Sequence, residues 1–122
     1  MRDKISLAEK FAQLPDAYQP AIVGYMNDYK LVVVKTQGEF VWHKHDETDE
    51  LFLVVKGRLA IQFRDRDVVL EPGELFVVPR GVEHCPRADG EVSALLIEPA
   101  GVVNTGDAGG EQTATYDDSL LD

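Results

Sequence analysis

Residues 38–57 read GEFVWHKHDETDELFLVVKG, and the interpretation of the whole chain starts from this stretch. Two histidines, His43 and His45, stand two positions apart in a segment with the alternation of a β-strand. Because alternate side chains of a strand point to the same face, both imidazoles are predicted to face one way. After an acidic loop, Glu50 opens the apolar segment Leu51–Val55. A carboxylate there is costly to bury unless it is paired or binds a metal.

The remaining histidine, His84, follows the tripeptide Pro79-Arg80-Gly81 in a predicted loop. Three neutral imidazoles and one carboxylate form a borderline donor set that suits Mn, Fe, Co, Ni, Cu or Zn. An octahedral ion held by four such ligands keeps two positions for water, oxygen or a chelating substrate. The sequence therefore predicts a site for one divalent transition metal at His43, His45, Glu50 and His84, with the identity of the metal open.

The chain from residue 21 to residue 98 is a series of short apolar or alternating segments separated by turn residues. No helical segment lies between them, which excludes parallel strands with helical crossovers and favours an antiparallel sandwich or barrel. Asp89-Gly90 is interpreted as the last of these turns. The predicted strands are Ala21–Met26, Tyr29–Thr36, Phe40–His45, Leu51–Val55, Arg58–Arg64, Val68–Leu70, Leu75–Val78 and Val92–Glu98.

The two ends of the chain differ from this all-β centre. Ser6 and Glu9 form a capping-box pattern that predicts a short helix over Ser6–Leu14, and Pro15 would end it. The segment after Pro99 is rich in Gly, Thr, Asn and Asp, which predicts irregular structure. The predicted organisation is an N-terminal helix and lead-in over residues 1–20, a β-barrel over 21–98, and an irregular C-terminal arm or tail over 99–122.

The net charge and the cysteine count limit the classes of partner that the chain can bind. The 122 residues include 12 Lys and Arg against 22 Asp and Glu, a formal net charge of −10. Because phosphate-binding surfaces are rich in lysine and arginine, this charge argues against nucleic acid and anionic membranes. The single cysteine, Cys85, excludes an internal disulfide and a multi-cysteine metal site. The chain has no apolar run near the ~20 residues of a spanning helix and no signal-peptide pattern. We therefore expect a cytoplasmic protein, and its charge favours cations or neutral ligands as partners.

Two motifs in the chain resemble those of the cupin family, in particular its small single-domain members. The first motif comprises Gly38, His43-Lys44-His45, Glu50 and Gly57, and the second comprises Gly73, Pro79-Arg80-Gly81 and His84. The resemblance covers roughly residues 31–99. Two positions depart from the family's pattern: Gly38 stands one residue closer to His43 than usual, and Ala88 replaces a frequent asparagine. Neither departure removes a ligand.

The resemblance implies a double-sheet jelly-roll barrel in which His43, His45, Glu50 and His84 bind one divalent metal ion. It favours a metal-dependent enzyme that acts on a small organic molecule, of dioxygenase, isomerase or lyase type. A non-catalytic module that binds or senses a metal or small ligand is the alternative, and an assembly scaffold is a third possibility. Fold alone does not decide among them, because the barrel hosts many chemistries.

Three further expectations concern the interior, the cysteine and the assembly. The residues predicted to line a pocket are Phe52, Val54, Ile61, Phe63 and Arg80. Cys85 is interpreted as a small buried residue, with a thiolate nucleophile as the alternative. The segment Leu51–Val55 is apolar on both faces, and Trp42 is predicted on the outer face. Both features predict a homodimer that covers the outer face of the sheet.

Overall fold

The alternating segments form β-strands in a computed structural model, which describes residues 3–14, 19–110 and 112–121. The described residues contain one helix, α1 (Leu7–Gln13), and seven strands. The strands are β1 (Ala21–Met26), β2 (Tyr29–Glu39), β3 (Glu50–Lys56), β4 (Leu59–Phe63), β5 (Asp67–Leu70), β6 (Leu75–Val78) and β7 (His84–Pro99). Within this part of the chain, no helix has the length and hydropathy needed to cross a membrane.

The predicted helix cap is confirmed. Ser6 is the N-cap of α1, and its side chain accepts a hydrogen bond from the Glu9 amide at 3.3 Å. Phe11 and Leu14 are buried in a cluster with residues of β1 and β2, so α1 covers part of the outer face of the sheet. This packing supplies the stability that a helix of two turns lacks on its own. The predicted stop at Pro15 lies outside the described residues.

All strand pairs are antiparallel, and the sixteen-residue strand β7 joins the two parts of the sheet. Its C-terminal half lies between β2 and β3, in the order β1-β2-β7-β3-β6. Its N-terminal end pairs with β4, which in turn pairs with β5. The two parts enclose an apolar core from both sides. The predicted all-β jelly roll is confirmed.

Strand β3 shows how the pleat separates the core from the outer surface. Glu50, Phe52 and Val54 are buried inside, whereas the intervening Leu51 and Leu53 face outward. Both are flanked by apolar residues on the neighbouring strands: Leu51 pairs with Val77 and Ile97, and Leu53 pairs with Leu75 and Leu95. We call these six residues the outer apolar patch. Its edge is its most exposed part, with Leu75 56% and Val77 45% exposed.

Two predicted boundaries around the histidines are wrong. The strand predicted over Phe40–His45 is absent. Within that segment the Phe40 amide donates to the Pro86 carbonyl at 2.9 Å, and His43 forms a single bridge to His84. The loop predicted around His84 ends before it, because His84 is the first residue of β7. The short bridge replaces a longer pairing because the chain must turn there towards the acidic loop before β3.

The turn predicted at Asp89-Gly90 is also wrong, because β7 continues through both residues. Thr36 pairs with Val92, whereas Gly38 pairs with Ala88, so the register shifts between these pairs. Three residues of β7 therefore oppose one residue of β2, which is the geometry of a β-bulge. A bulge and a turn draw on the same flexible residues, so their sequence signals are similar.

Candidate metal centre

Backbone pairing places two of the histidines side by side. The His43 amide donates to the His84 carbonyl at 3.0 Å, and the His84 amide donates back to the His43 carbonyl at 2.9 Å. The two ring centroids lie 4.3 Å apart, and that of His45 lies 5.1 Å from that of His43. Glu50 brings its carboxylate to the same place as the first residue of β3. The four predicted ligands are thus brought together from three separate segments.

Local hydrogen bonds fix the orientation of two imidazole rings. Nδ1 of His43 lies 2.8 Å from the Val41 carbonyl oxygen, and Nδ1 of His84 lies 3.0 Å from the Val82 carbonyl oxygen. A carbonyl oxygen can only accept, so each Nδ1 carries the hydrogen and each Nε2 keeps a lone pair. Hydrogen bonds of this kind to the second ring nitrogen are typical of histidines that bind metals.

Three buried polar atoms in this cluster have no hydrogen-bond partner among the described residues: His45 Nε2, His84 Nε2 and Glu50 Oε1. Each of the two nitrogens lies 3.4 Å from Glu50 Oε1, and one donor atom from each of the four residues lies within 4.8 Å of the others. Ligand atoms bound about 2.1 Å from one ion are separated by about 3 to 4.2 Å. The two 3.4 Å separations lie in this range and the 4.8 Å limit is about 0.6 Å above it, so the four residues form a candidate site for a single transition-metal ion.

The charge states of the donors also suit a cation. Burial lowers the pKa of His43 to about 4, so this imidazole is neutral near pH 7. Burial alone would raise the pKa of Glu50, but the adjacent polar side chains of His45 and Glu98 hold it well below its usual range. The neutral imidazole of His43 and the ionised carboxylate of Glu50 are the forms in which these groups bind metals.

Behind Glu50 lies a buried charged group that the sequence analysis missed. The Lys30 ammonium donates to the Val102 carbonyl at 2.6 Å, lies 3.6 Å from Glu98 Oε1, and sits 3.3 Å from the centroid of the Tyr116 ring. The Tyr116 hydroxyl donates to Glu98 at 2.5 Å. Burial and the nearby Glu50 raise the pKa of Glu98 to about 9. The sequence signal that could have revealed this group is Glu98, an acidic residue at an inward-facing position of the apolar strand β7.

A cavity of about 700 Å³ opens onto the cluster, and His43 and Glu50 form part of its wall. Apolar strand residues form much of the rest: Val32, Val34, Phe52, Leu59, Ala94 and Leu96. The C-terminal segment closes one side with Asn104, Gln112, Thr113, Ala114, Thr115 and Tyr116. Hydrogen bonds from the Ile22 amide to the Asp117 carbonyl and from the Asp117 amide to the Pro20 carbonyl attach this segment to the barrel. A molecule in the cavity would therefore contact both the cluster and the C-terminal segment.

Of the five residues predicted for the pocket, Phe52 lines this cavity. Val54 and Ile61 are buried in the apolar core, and Phe63 packs against that core with its ring 6.3 Å from His84. Arg80 is exposed and paired with Asp49 at 3.3 Å, outside the cavity wall.

Cys85 is a free, fully buried thiol. Burial raises its pKa, which works against a thiolate at neutral pH. The structure thus places Cys85 as the small buried residue of the first interpretation.

Comparison with known proteins gives a consistent result. A family model described as "Cupin domain" matches residues 30–98, more than half of the chain. The crystal structure of a cupin-2 domain containing protein from Shewanella frigidimarina is 45% identical, with a TM-score of 0.76, and the match covers 78% of this chain and 93% of that one. The Bacillus subtilis protein YdbB is 32% identical over 77 residues, which are 62% of this chain and 68% of YdbB.

One more distant relative has a name that states an activity. The 3-hydroxyanthranilate 3,4-dioxygenase of Bos taurus is 33% identical over 57 residues, 43% of this chain. The match spans 20% of that enzyme, so the similarity is confined to one part of it.

Proposed function

The chain belongs to the cupin family, and from that premise we propose that it binds one divalent transition-metal ion and acts as an enzyme on a small organic molecule. The ligands would be His43, His45, Glu50 and His84. The observation that carries the proposal is the convergence of buried, unpartnered donor atoms from these residues beside a cavity. Leaving three such atoms without a partner would be costly unless an ion compensates for their lost hydrogen bonds.

The metal would be Fe, Mn, Co, Ni, Cu or Zn, because a set of three nitrogens and one oxygen suits all of them. Such an ion supplies Lewis-acid activation of a bound oxygen atom or, if it is redox-active, electron transfer. The apolar wall would exclude water from the molecule in the cavity, and His43 and Glu50 would hold the reacting end at the cluster. The dioxygenase, isomerase and lyase types of reaction are compatible with this arrangement, and the partial similarity to a dioxygenase supports the first of them.

A non-catalytic binding or sensing module is the second candidate, and one observation favours it. Among the described residues of the cavity wall, few can act as a separate general base. Glu50 belongs to the ligand set, the Tyr116 hydroxyl is engaged by Glu98, and Glu39 is exposed. Within the described cavity wall, a reaction that needs an independent base therefore has only Glu39. Turnover, rather than binding alone, distinguishes the two candidates.

We also propose that two chains form a homodimer through the outer apolar patch. The patch is continuous across β6, β3 and β7, and the apolar cluster of α1 meets it at Leu95. Exposed apolar areas of this kind typically mark interaction sites. A cytoplasmic location remains a prediction from the sequence.

Metal content of the purified protein tests the proposed metal site. We expect about one transition-metal ion per chain, measured by inductively coupled plasma mass spectrometry after dialysis. His43→Ala should lower the content about tenfold, because one of four ligands is lost. Lys44→Ala is the matched control. Lys44 stands between the two histidine ligands in the sequence, but its exposed side chain pairs with Asp46 and is not a ligand. A wild-type protein without metal, or equal metal in His43→Ala, would contradict the proposal.

A further inference from the structure

The wall of the cavity is unusual in its charge. Among the described residues that line it, there is no lysine and no arginine. The ionisable side chains are Glu39, His43, Glu50 and Tyr116. Two of these are acidic, and the whole chain carries a formal net charge of −10. A bound metal ion would offset Glu50 at one end of the cavity, but no cation lines the rest of its described wall.

The nearest buried cation does not change this conclusion. Lys30 does not line the cavity; its ammonium lies over the Tyr116 ring and is already held by the Val102 carbonyl and by Glu98. It is 1% exposed, so a ligand cannot reach it. Arg87, beside the cavity residue Pro86, directs its guanidinium to carboxylates outside the wall. Away from the metal cluster, a carboxylate or phosphate in the cavity would therefore lose hydration without gaining a charged partner.

Apart from Glu39 and the residues of the metal cluster, the polar side chains of the described wall are neutral or, like the Tyr116 hydroxyl, already hydrogen-bonded. Thr36, Gln37 and Thr115 line the cavity, and their side chains form no hydrogen bond with other described residues. Hydroxyl and amide groups of this kind suit hydroxyl, carbonyl or amide groups of a ligand. The apolar residues of β2 and β3 cover the remainder of the wall. This combination is typical of a pocket that binds a mainly apolar molecule with a few oriented polar contacts.

We propose that the cavity selects a small molecule that chelates the metal through one end and has an uncharged body, and that it rejects molecules whose body carries a carboxylate or phosphate. This inference rests on the proposed metal centre and adds the class of ligand. It also assigns a recognition role to Thr36 and to the C-terminal segment, which the sequence analysis left without a function.

A matched pair of catechols tests the inference without relying on turnover. The probes are 3,4-dihydroxybenzamide and 3,4-dihydroxybenzoate, which have the same chelating end and nearly the same shape but differ by one negative charge. Binding to the cobalt-loaded protein is followed by the visible absorption of the metal and by calorimetry. We expect the amide to bind about tenfold more tightly or better, because the carboxylate finds no cation in the wall.

A second experiment changes the charge of the cavity wall at Thr36. Thr36→Lys should bring the benzoate affinity up to or above that of the amide, whereas Thr36→Gln, similar in length but neutral, should keep the preference for the amide. Circular dichroism establishes that both variants are folded. Equal or tighter binding of the benzoate by the wild-type protein would overturn the inference, and so would failure of both probes to bind the cobalt-loaded chain.

Cobalt uptake separates the two proposals. A chain that takes up cobalt but prefers the benzoate contradicts the ligand class and leaves the metal centre in place. A chain that takes up no cobalt contradicts the metal centre, and the ligand class falls with it.

Discussion

His43 contributes both to the backbone pairing of the fold and to the candidate metal site. Its backbone pairs with His84, its Nδ1 is held by the Val41 carbonyl, and its side chain lies in the cavity wall. Burial of this imidazole also disfavours its protonation. The same position that keeps the ring available to a metal therefore makes the folded state sensitive to acid.

The metal-free protein should lose stability as the pH falls from 7 to 4.5. The unfolded chain protonates this imidazole near pH 6.5, whereas burial lowers the pKa of His43 to about 4 in the folded chain. Unfolding therefore takes up a proton in this window, which costs the folded state about 2 kcal/mol over the range. Urea denaturation after chelator treatment, repeated at several pH values, measures the effect.

The variant His43→Gln separates this contribution from that of Glu50. The lowered pKa of Glu50 acts in the same direction, since its stabilisation is also lost in acid. In the variant, the free energy of unfolding should depend less steeply on pH because one titrating group is gone. An unchanged pH dependence would show that His43 does not titrate as the structure indicates.

At the scale of elements, the turn between β3 and β4 depends on a glycine. Gly57 has a φ of +87°, and a Cβ there would lie 2.5 Å from the Glu91 carbonyl oxygen. Gly57→Ala should therefore lower the free energy of unfolding by about 2 kcal/mol or more, through both backbone strain and the clash. Thermal denaturation and urea titration measure the change.

Two other glycines provide matched controls for this turn. Gly73 has a φ of +85°, but a Cβ at this position would meet open space. Gly73→Ala should therefore lower the free energy of unfolding by about 1 kcal/mol, through backbone strain alone. Gly90 has neither positive φ nor a close neighbour, so Gly90→Ala should be nearly neutral. Equal effects at the three positions would refute the role assigned to the Glu91 contact.

The strands of the centre were predictable because their apolar residues alternate and their turns carry distinctive residues. The predicted bounds of Ala21–Met26 and Leu75–Val78 match β1 and β6. The continuity of β7 was not predictable, since Asp89-Gly90 has the composition of a turn and only the pairing with β2 shows a bulge. Long-range pairing decides such positions, and local sequence does not contain it.

The cluster was predictable for a different reason. The three histidines and Glu50 are residue types that rarely occur together without a function, and their spacing resembles that of a family. The cavity was predicted less well. Arg80 was expected to line the cavity, but its exposed side chain forms an ion pair with Asp49 and is not part of the cavity wall. The C-terminal wall was not foreseen because its position depends on contacts such as that between Ile22 and Asp117, far apart in the chain.

At the scale of the whole molecule, the outer apolar patch is the main feature that a single chain leaves uncovered among the described residues. Leu53 lies at its centre, with Leu75 on one side and Leu95 on the other. A second copy would bury this surface in a symmetric contact, since the same patch would face itself across a twofold axis. The solution mass should therefore be twice the 13.5 kDa of one chain.

A charge within the patch should abolish the dimer without unfolding the chain. Leu75→Glu places a carboxylate at a position that is 56% exposed in the monomer, so the monomer tolerates it while the interface does not. Val69→Glu is the control, since Val69 is 42% exposed on β5, away from the patch. Size-exclusion chromatography with light scattering reports the mass. A monomeric wild-type protein, or a Leu75→Glu variant that remains dimeric, would contradict this interface.

The part of the cavity wall formed by Asn104 and residues 112–116 has an evolutionary consequence. The donor atoms of the cluster come from the segment before β3 and from the starts of β3 and β7, whereas much of the neutral polar wall comes from the last part of the chain. Substitutions in that last part can diversify the compounds a descendant of this chain accepts, while the scaffold that supports reactivity stays intact. Lineages built on this plan can thus acquire new specificities through mutations at one terminus.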